Sequence, residues 1–274
     1  MTDSYAVIGN PVDHSLSPWI HQAFARQTGE DIAYEKLPAP KDGFKSVARR
    51  FFAAGGRGLN VTVPFKLDAF DFADQVTERA SAAGAVNTLA MRDDGSILGD
   101  NTDGAGLVTD IRDNLGWPIA GRRVLMVGAG GAARGAMLPL LERGPALVHI
   151  ANRTAERAER LALEFARHGS LEASGFDSLG GSFDLIINAS AASLSGDLPP
   201  LADTLVGHGC QAYDMVYGAQ PTPFMAWAAA RGAETADGLG MLVGQAAESF
   251  MLWRGTRPQT TPVLQALRAR LQNQ

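Results

Sequence analysis

Arg123-Val124-Leu125-Met126-Val127-Gly128-Ala129-Gly130-Gly131-Ala132-Ala133 decides the fold. A short apolar run closed by glycine reads as a strand buried on both faces, and the residues after the glycines read as a helix to about Arg143. Gly128 to Ala133 then fits G-x-G-x-x-G/A, with Ala133 as the third small residue. Glycines at such a junction allow a tight turn and let backbone N–H groups approach a pyrophosphate at a helix N-terminus. Glycine-rich turns also join strands to helices for steric reasons alone, so context decides. Here a second strand, Ala146 to Ala151, and a charged helix from Thr154 to about His168 follow. That is the strand–turn–helix–strand setting of a dinucleotide site, formed by Gly128, Ala129, Gly130, Gly131 and Ala132.

The end of the second strand selects the dinucleotide. An acidic residue there holds a ribose 2′-hydroxyl, as NAD-binders require. This chain has Asn152-Arg153-Thr154, with Arg157 one turn on. A guanidinium grips a 2′-phosphate that an acid would repel, so these residues favour NADP. The plainer alternative is a solvated helix start, with Thr154 as N-cap and Arg157 on the surface.

Further along, Phe183 to Asn188 and Gln211 to Met215 read as strands. The β-α-β rhythm implies a parallel, helix-covered sheet of the Rossmann-like, doubly wound kind. Upstream, Tyr5 to Ile8 reads as a strand closed by Gly9-Asn10-Pro11. A helix follows from Pro18, with Trp19, Ile20, Ala23 and Phe24 on one face and Gly29 at its end. Another runs from about Asp42 to Ala54. Gly58 to Val63 alternates Leu59, Val61 and Val63 with Asn60 and Thr62, as a half-buried strand does. Val86 to Met91 is a further strand, followed by an Arg92-Asp93-Asp94-Gly95 turn. The segment after Gly240, with Met241, Leu242, Gln245, Ala246, Phe250 and Trp253, is amphipathic and fits a return onto the first domain. The expectation is an α/β protein of two domains with a cleft between them. Residues 1–103, completed by helices over 239–274, form an α/β substrate domain with a mainly parallel sheet. Residues 104–238 form the nucleotide-binding domain.

Composition narrows the partners. The chain has 274 residues, 46% hydrophobic and 19% charged, which is globular and long enough for two cores. A net charge of −5 disfavours a general nucleic-acid or anionic-membrane binder. The single cysteine, Cys210, excludes an intramolecular disulfide, and the five histidines show no metal-ligand spacing. The N-terminus lacks the pattern of a signal peptide, and no apolar stretch is long enough for a bilayer. These features lead us to expect a cytoplasmic protein, monomer or homodimer, with a small-molecule substrate and no metal, nucleic acid or membrane partner.

Small polar residues gather at strand ends in the first half. Ser15 and Ser17 sit in His14-Ser15-Leu16-Ser17-Pro18, where two hydroxyls beside a helix N-terminus can bind a carboxylate. Ser17, just before Pro18, is equally a good N-cap. Thr62 and Lys66 lie in Asn60-Val61-Thr62-Val63-Pro64-Phe65-Lys66, Asn87 in Ala85-Val86-Asn87-Thr88-Leu89, and Asp103 in Gly99-Asp100-Asn101-Thr102-Asp103-Gly104. Singly, each has an ordinary explanation: a solvated lysine, a ladder residue, a helix cap. Yet the chain uses 20 arginines and only four lysines, so Lys66 stands where a titratable amine is wanted rather than a fixed charge.

Through these motifs and Gly238-Leu239-Gly240-Met241-Leu242, the chain resembles the NADP-dependent shikimate dehydrogenase family over nearly its whole length. The resemblance implies reversible reduction of 3-dehydroshikimate to shikimate with NADPH, in chorismate and aromatic amino-acid biosynthesis. It implies that Ser15 and Ser17 bind the substrate carboxylate and that Thr62, Asn87, Asp103 and Gln245 hold ring hydroxyls, with Tyr217 lining the substrate site. Lys66 and Asp103 would be the catalytic pair, and Glu78, Met215 and Gly238 would line the cofactor site. Asn188-Ala189-Ser190 departs from the Asn-Ala-Thr common in the family but keeps the hydroxyl, and 191–197 is unfamiliar. Competing readings are a quinate/shikimate dehydrogenase of broader specificity using NAD, and a catalytically silent NADP-binding regulator. Retention of Lys66 and Asp103 argues against the silent one.

Overall fold

Two compact units emerge in the computed structural model, which describes residues 2–272. One runs up to Gly106 and includes Val243–Gln265; the other comprises Leu107–Leu242 and the stretch from Ala266. The first unit therefore runs on past residue 103, and the segment from 239 is shared rather than given whole to it. Chemistry accounts for the sharing. Trp253 donates its Nε1–H to Leu89 O at 3.0 Å in the first unit, whereas Arg268 forks onto Asp237 in the second.

In the first unit the strands are β1 (Asp3–Gly9), β2 (Ile32–Pro38), β3 (Gly56–Val61), β4 (Gln75–Val76), β5 (Thr88–Met91) and β6 (Ile97–Asp100). The helices are α1 (Ser17–Thr28), α2 (Phe44–Ala53), α3 (Lys66–Phe70), α4 (Glu78–Ala83) and α5 (Asp103–Thr109). The sheet order is β2-β1-β3-β5-β6-β4. Strands β2, β1 and β3 run parallel, as do β6 and β4, but β5 runs against both neighbours. The cause is local: the 92–95 turn closes β5 directly onto β6, and a tight turn can join only antiparallel strands. Gly29 ends α1 in the left-handed conformation, φ 75°.

The alternation through Gly58–Val63 breaks at its end. Leu59 and Val61 are buried, but pairing stops at Val61 and Val63 is 63% exposed. The polar Asn60 is itself buried, held by a hydrogen-bond network described below.

The second unit contains β7 (Arg123–Val127), α6 (Gly131–Leu141), β8 (Leu147–Ala151), α7 (Ala155–Phe165), β9 (Leu171–Ser174), β10 (Phe183–Asn188), β11 (Val206–Asp214), α8 (Pro223–Ala229) and β12 (Glu234–Asp237). Helices α9 (Leu239–Arg254) and α10 (Thr260–Gln272) complete the chain. The sheet is all parallel, in the order β12-β11-β10-β7-β8-β9. Read from β9, this is the 3-2-1-4-5-6 order of a doubly wound sheet, whose direction of winding reverses between β7 and β10. Among the described residues no helix is long and apolar enough to cross a membrane.

Candidate active site

Ligands of doubly wound sheets sit beyond the carboxyl ends of the strands, where the winding reverses. Here Gly128 leaves β7 and Ala189 leaves β10 at that point. Gly128 has φ 106°, and a Cβ on it would meet Ser190 N at 3.1 Å. The positive φ favours glycine, and the nearby backbone leaves little room for a side chain. Around this turn lies a cavity of about 1110 Å³ lined by Gly128, Ala129, Gly130, Gly131, Ala132, Asn152, Arg153 and Arg157, among others. Nothing lies within 4 Å of a Cβ built on Gly130 or Gly131, so the backbone at the start of α6 is open to a ligand. Asn152 donates to Thr154 O at 2.9 Å, shaping the corner after β8. Thr154 takes the N-cap position of α7 and is exposed, as the plainer alternative has it, though without a side-chain cap bond. Arg153 and Arg157 are exposed on the cavity wall. This cradle, helix N-terminus and arginine pair fit a dinucleotide bearing a 2′-phosphate.

The opposite wall is Ala189–Ala192 with Met215, Val216 and Tyr217. Tyr217, expected from the resemblance at the substrate, thus lines this cavity. A Cβ on Gly238 would strike Met215 O at 2.1 Å, so glycine there lets the chain pass against Met215. Ser190 donates its hydroxyl to Asn188 Oδ1 at 2.7 Å and its N–H at 3.1 Å, the bonds a threonine could also make. Glu78 is exposed in the first turn of α4, in the other unit, and is not part of this cavity.

A second cluster forms on one edge of the first unit's sheet. Strands β1, β3 and β6 end there and β5 begins there, which places Ser15 and Ser17, Thr62 and Lys66, Asn87, and Asp103 on the same edge. Lys66 Nζ lies 2.5 Å from Asp103 Oδ2, and Asn87 Nδ2 donates to Asp103 Oδ1 at 2.8 Å. The lysine side chain is 33% exposed and the aspartate 17%, so the pair faces outward from a buried base. Asn87 is fixed in turn: its Oδ1 accepts from Thr102 N at 2.9 Å and Thr88 Oγ1 at 2.9 Å. Gln245 Oε1 lies 3.5 Å from Thr102 Oγ1. A Cβ on Gly9 would meet Thr62 Cγ2 at 2.5 Å, so the glycine ending β1 makes room for Thr62.

Ser17 is the first residue of α1 and is buried; Leu16 occupies the N-cap position without a side-chain bond. The N-cap expectation for Ser17 is therefore corrected. Ser15 Oγ accepts from Ser17 N at 3.3 Å, so the upstream serine does part of the capping.

Behind the pair lies a polar network that sequence reasoning missed. Asn60 Nδ2 donates to Thr88 Oγ1 at 3.1 Å and Ser249 Oγ at 2.8 Å, while its Oδ1 accepts from Tyr34 OH at 2.7 Å and lies 3.1 Å from His21 Nε2. Burial pushes the His21 imidazole down to about 3, so it is neutral. The only signal of this network in the sequence was a polar residue inside an apolar strand. Arg79 braces the same edge by donating to Asp100 from Nε at 2.8 Å and Nη2 at 2.5 Å. Burial pushes the Asp100 carboxyl up, but the Arg79 and Thr77 bonds outweigh it and hold it below the usual range.

A doubly wound nucleotide unit and a unit bearing a lysine–carboxylate pair define an oxidoreductase dependent on a nicotinamide nucleotide. The chain matches the family models described as shikimate dehydrogenase substrate binding domain over residues 7–89, shikimate / quinate 5-dehydrogenase over 111–195, and shikimate 5'-dehydrogenase C-terminal domain over 238–268. It belongs to the shikimate dehydrogenase family. A curated relative, the shikimate dehydrogenase (NADP(+)) of Cellvibrio japonicus, is 59% identical and covers 99% of each chain. Among solved structures, an Ael1 enzyme from Pseudomonas putida is 46% identical with a TM-score of 0.94, covering 97% of this chain and 98% of that one. The shikimate 5-dehydrogenase of Thermus thermophilus, solved with NADP(H) and shikimate, is 33% identical with a TM-score of 0.85, covering 98% and 99%.

Proposed function

We propose that the lysine–aspartate pair on the first unit's sheet edge reduces 3-dehydroshikimate reversibly to shikimate, with NADPH held in the cavity of the second unit. The first unit is then the substrate domain and the second the nucleotide domain. Ser15 and Ser17 take the substrate carboxylate; Thr62, Asn87, Asp103 and Gln245 take the ring hydroxyls, and Tyr217 is a further substrate-lining residue. Gly128, Ala129, Gly130, Gly131 and Ala132 hold the pyrophosphate, and Asn152, Arg153, Thr154 and Arg157 the 2′-phosphate end. Met215 and Gly238 line the remainder.

Bound nicotinamide supplies the hydride for the carbonyl carbon. Lys66 Nζ donates a hydrogen bond to the carbonyl oxygen, stabilises its developing negative charge and delivers the proton. Asp103 accepts from Lys66, aims the amine and accepts from a neighbouring substrate hydroxyl. Asn87 keeps the Asp103 carboxylate from rotating. In the oxidative direction Lys66 receives the proton.

The observation that supports this most is the 2.5 Å Lys66–Asp103 contact braced by Asn87. The test is reduced-nicotinamide absorbance with shikimate or quinate, each with NADP or NAD. Turnover is expected with shikimate and NADP. Preference for NAD or for quinate would overturn the assignment.

A further inference from the structure

Asp214 ends β11 fully buried, beneath the cavity wall. Its carboxylate accepts four hydrogen bonds, all from neutral groups. Oδ1 takes Asn188 Nδ2 at 3.2 Å and Val216 N at 3.0 Å; Oδ2 takes Ser193 Oγ at 2.6 Å and Thr222 Oγ1 at 2.6 Å. These donors come from both segments of the wall opposite the glycine turn. Asn188 and Ser193 belong to the segment leaving β10, and Val216 and Thr222 to the segment leaving β11. Asn188 also donates to Ser193 Oγ at 3.1 Å. Thr222 in turn caps α8, accepting from Met225 N at 3.2 Å.

Apart from Ser193, the 191–197 loop looks inward except at Ala192, whose N–H donates to Ser190 Oγ at 3.4 Å, itself bonded to Asn188. Ser195 bonds to Ala192 O and Asp197, and Asp197 N bonds to Ala192 O. Among the described residues, its hydrogen bonds that reach beyond residue 190 to the sheet run through Ser193. Ala192, Ser195 and Asp197 flank that serine and line the cavity.

We infer that Asp214 is a positioning residue for the cofactor, and that the Ser193 hydroxyl latches the 191–197 loop to it. A loop already ordered before binding loses less freedom when the dinucleotide enters, which raises affinity without any new contact. The inference rests on the NADP reading of the cavity. Asp214 Oδ1 faces two fixed N–H donors and Oδ2 faces two hydroxyls, so a carboxylate can accept at both oxygens here.

Ser193 is the discriminating position, since Asp214→Asn would also disturb the α8 cap. The experiment measures backbone amide exchange over 189–197 in the cofactor-free full chain, with KM for NADPH and for substrate, in wild type, Ser193→Ala and Ser193→Thr. Ser193→Ala should speed exchange and raise the NADPH KM, each by about tenfold for the loss of one charge-assisted bond, while the substrate KM shifts less than about twofold. Ser193→Thr, which keeps the hydroxyl, should restore both. Exchange at the wild-type rate in Ser193→Ala overturns the latch. Faster exchange with an unchanged NADPH KM overturns the positioning role. A wild-type chain inert with NADPH removes the cofactor reading instead, and exchange alone then scores the latch.

Discussion

Lys66 opens α3 with its amine held by Asp103, and Asp103 is held by Asn87. The lysine side chain is one-third exposed, so little of the fold rests on it. Its removal should therefore fall on chemistry. Lys66→Ala is expected to lower kcat by about 10²–10⁴-fold, with substrate KM and Tm changed far less. Lys66→Arg keeps the charge but not a usable proton, and its planar fork does not fit a point contact, so it should also turn over poorly. Steady-state kinetics and thermal melts on both variants check this. A folded Lys66→Ala enzyme at near wild-type rate would remove the proton-transfer role and shift attention to Asp103.

At the scale of elements, β7, β8 and β10 were legible because each is an apolar run buried on both faces, bounded by glycine, asparagine or charge. Strand β2, Ile-Ala-Tyr-Glu-Lys-Leu-Pro, was not: it is an edge strand that alternates poorly and is largely exposed. The two-residue β4 and the short β6 depend on tertiary pairing that no local pattern encodes. The site shows the same division. Lys66 and Asp103 stood out by residue type and motif, whereas the Asn60–Tyr34–Ser249 network is assembled from three distant segments. The junction of β8 and α7 makes a claim of its own. Asn152 turns the chain there, and Arg153 and Arg157 are exposed on the cavity wall. Arg153→Ala should weaken NADP by about 10- to 100-fold, the value of one or two charged hydrogen bonds, and leave NAD nearly untouched. Calorimetric titration with both nucleotides decides it; equal losses would end the 2′-phosphate role.

Over the whole molecule, buried titratable groups set how the fold responds to acid. His21 is packed among Tyr34, Phe24, Phe250 and Trp253, stacked on the Tyr34 ring at 4.3 Å, with its Nδ1 buried and unpartnered. Burial lowers its folded pKa to about 3. The unfolded value is near 6.5, so below that pH the unfolded chain binds a proton that the folded chain refuses. Stability is therefore present above pH 6.5 and lost as pH falls toward 3, by about 1.4 kcal/mol per unit. Burial lowers His149 in the second unit too, and Asp100 is held low by Arg79 against its own burial, so both act in the same direction, Asp100 only at lower pH. Asp110 opposes them, because burial raises its carboxyl and acid relieves that cost. The His21 share can be isolated with His21→Phe. That variant keeps the stack on Tyr34 and loses only the Nε2–H bond to Asn60, whose Oδ1 still accepts from Tyr34 OH at 2.7 Å. Urea unfolding at pH 7 and pH 5, followed by the tryptophan fluorescence that includes Trp253 5.2 Å from the imidazole, measures both proteins. The wild type should lose about 2 kcal/mol more than His21→Phe between the two pH values. An equal loss in both would mean that the imidazole takes up its proton inside the fold, against everything its apolar surroundings predict.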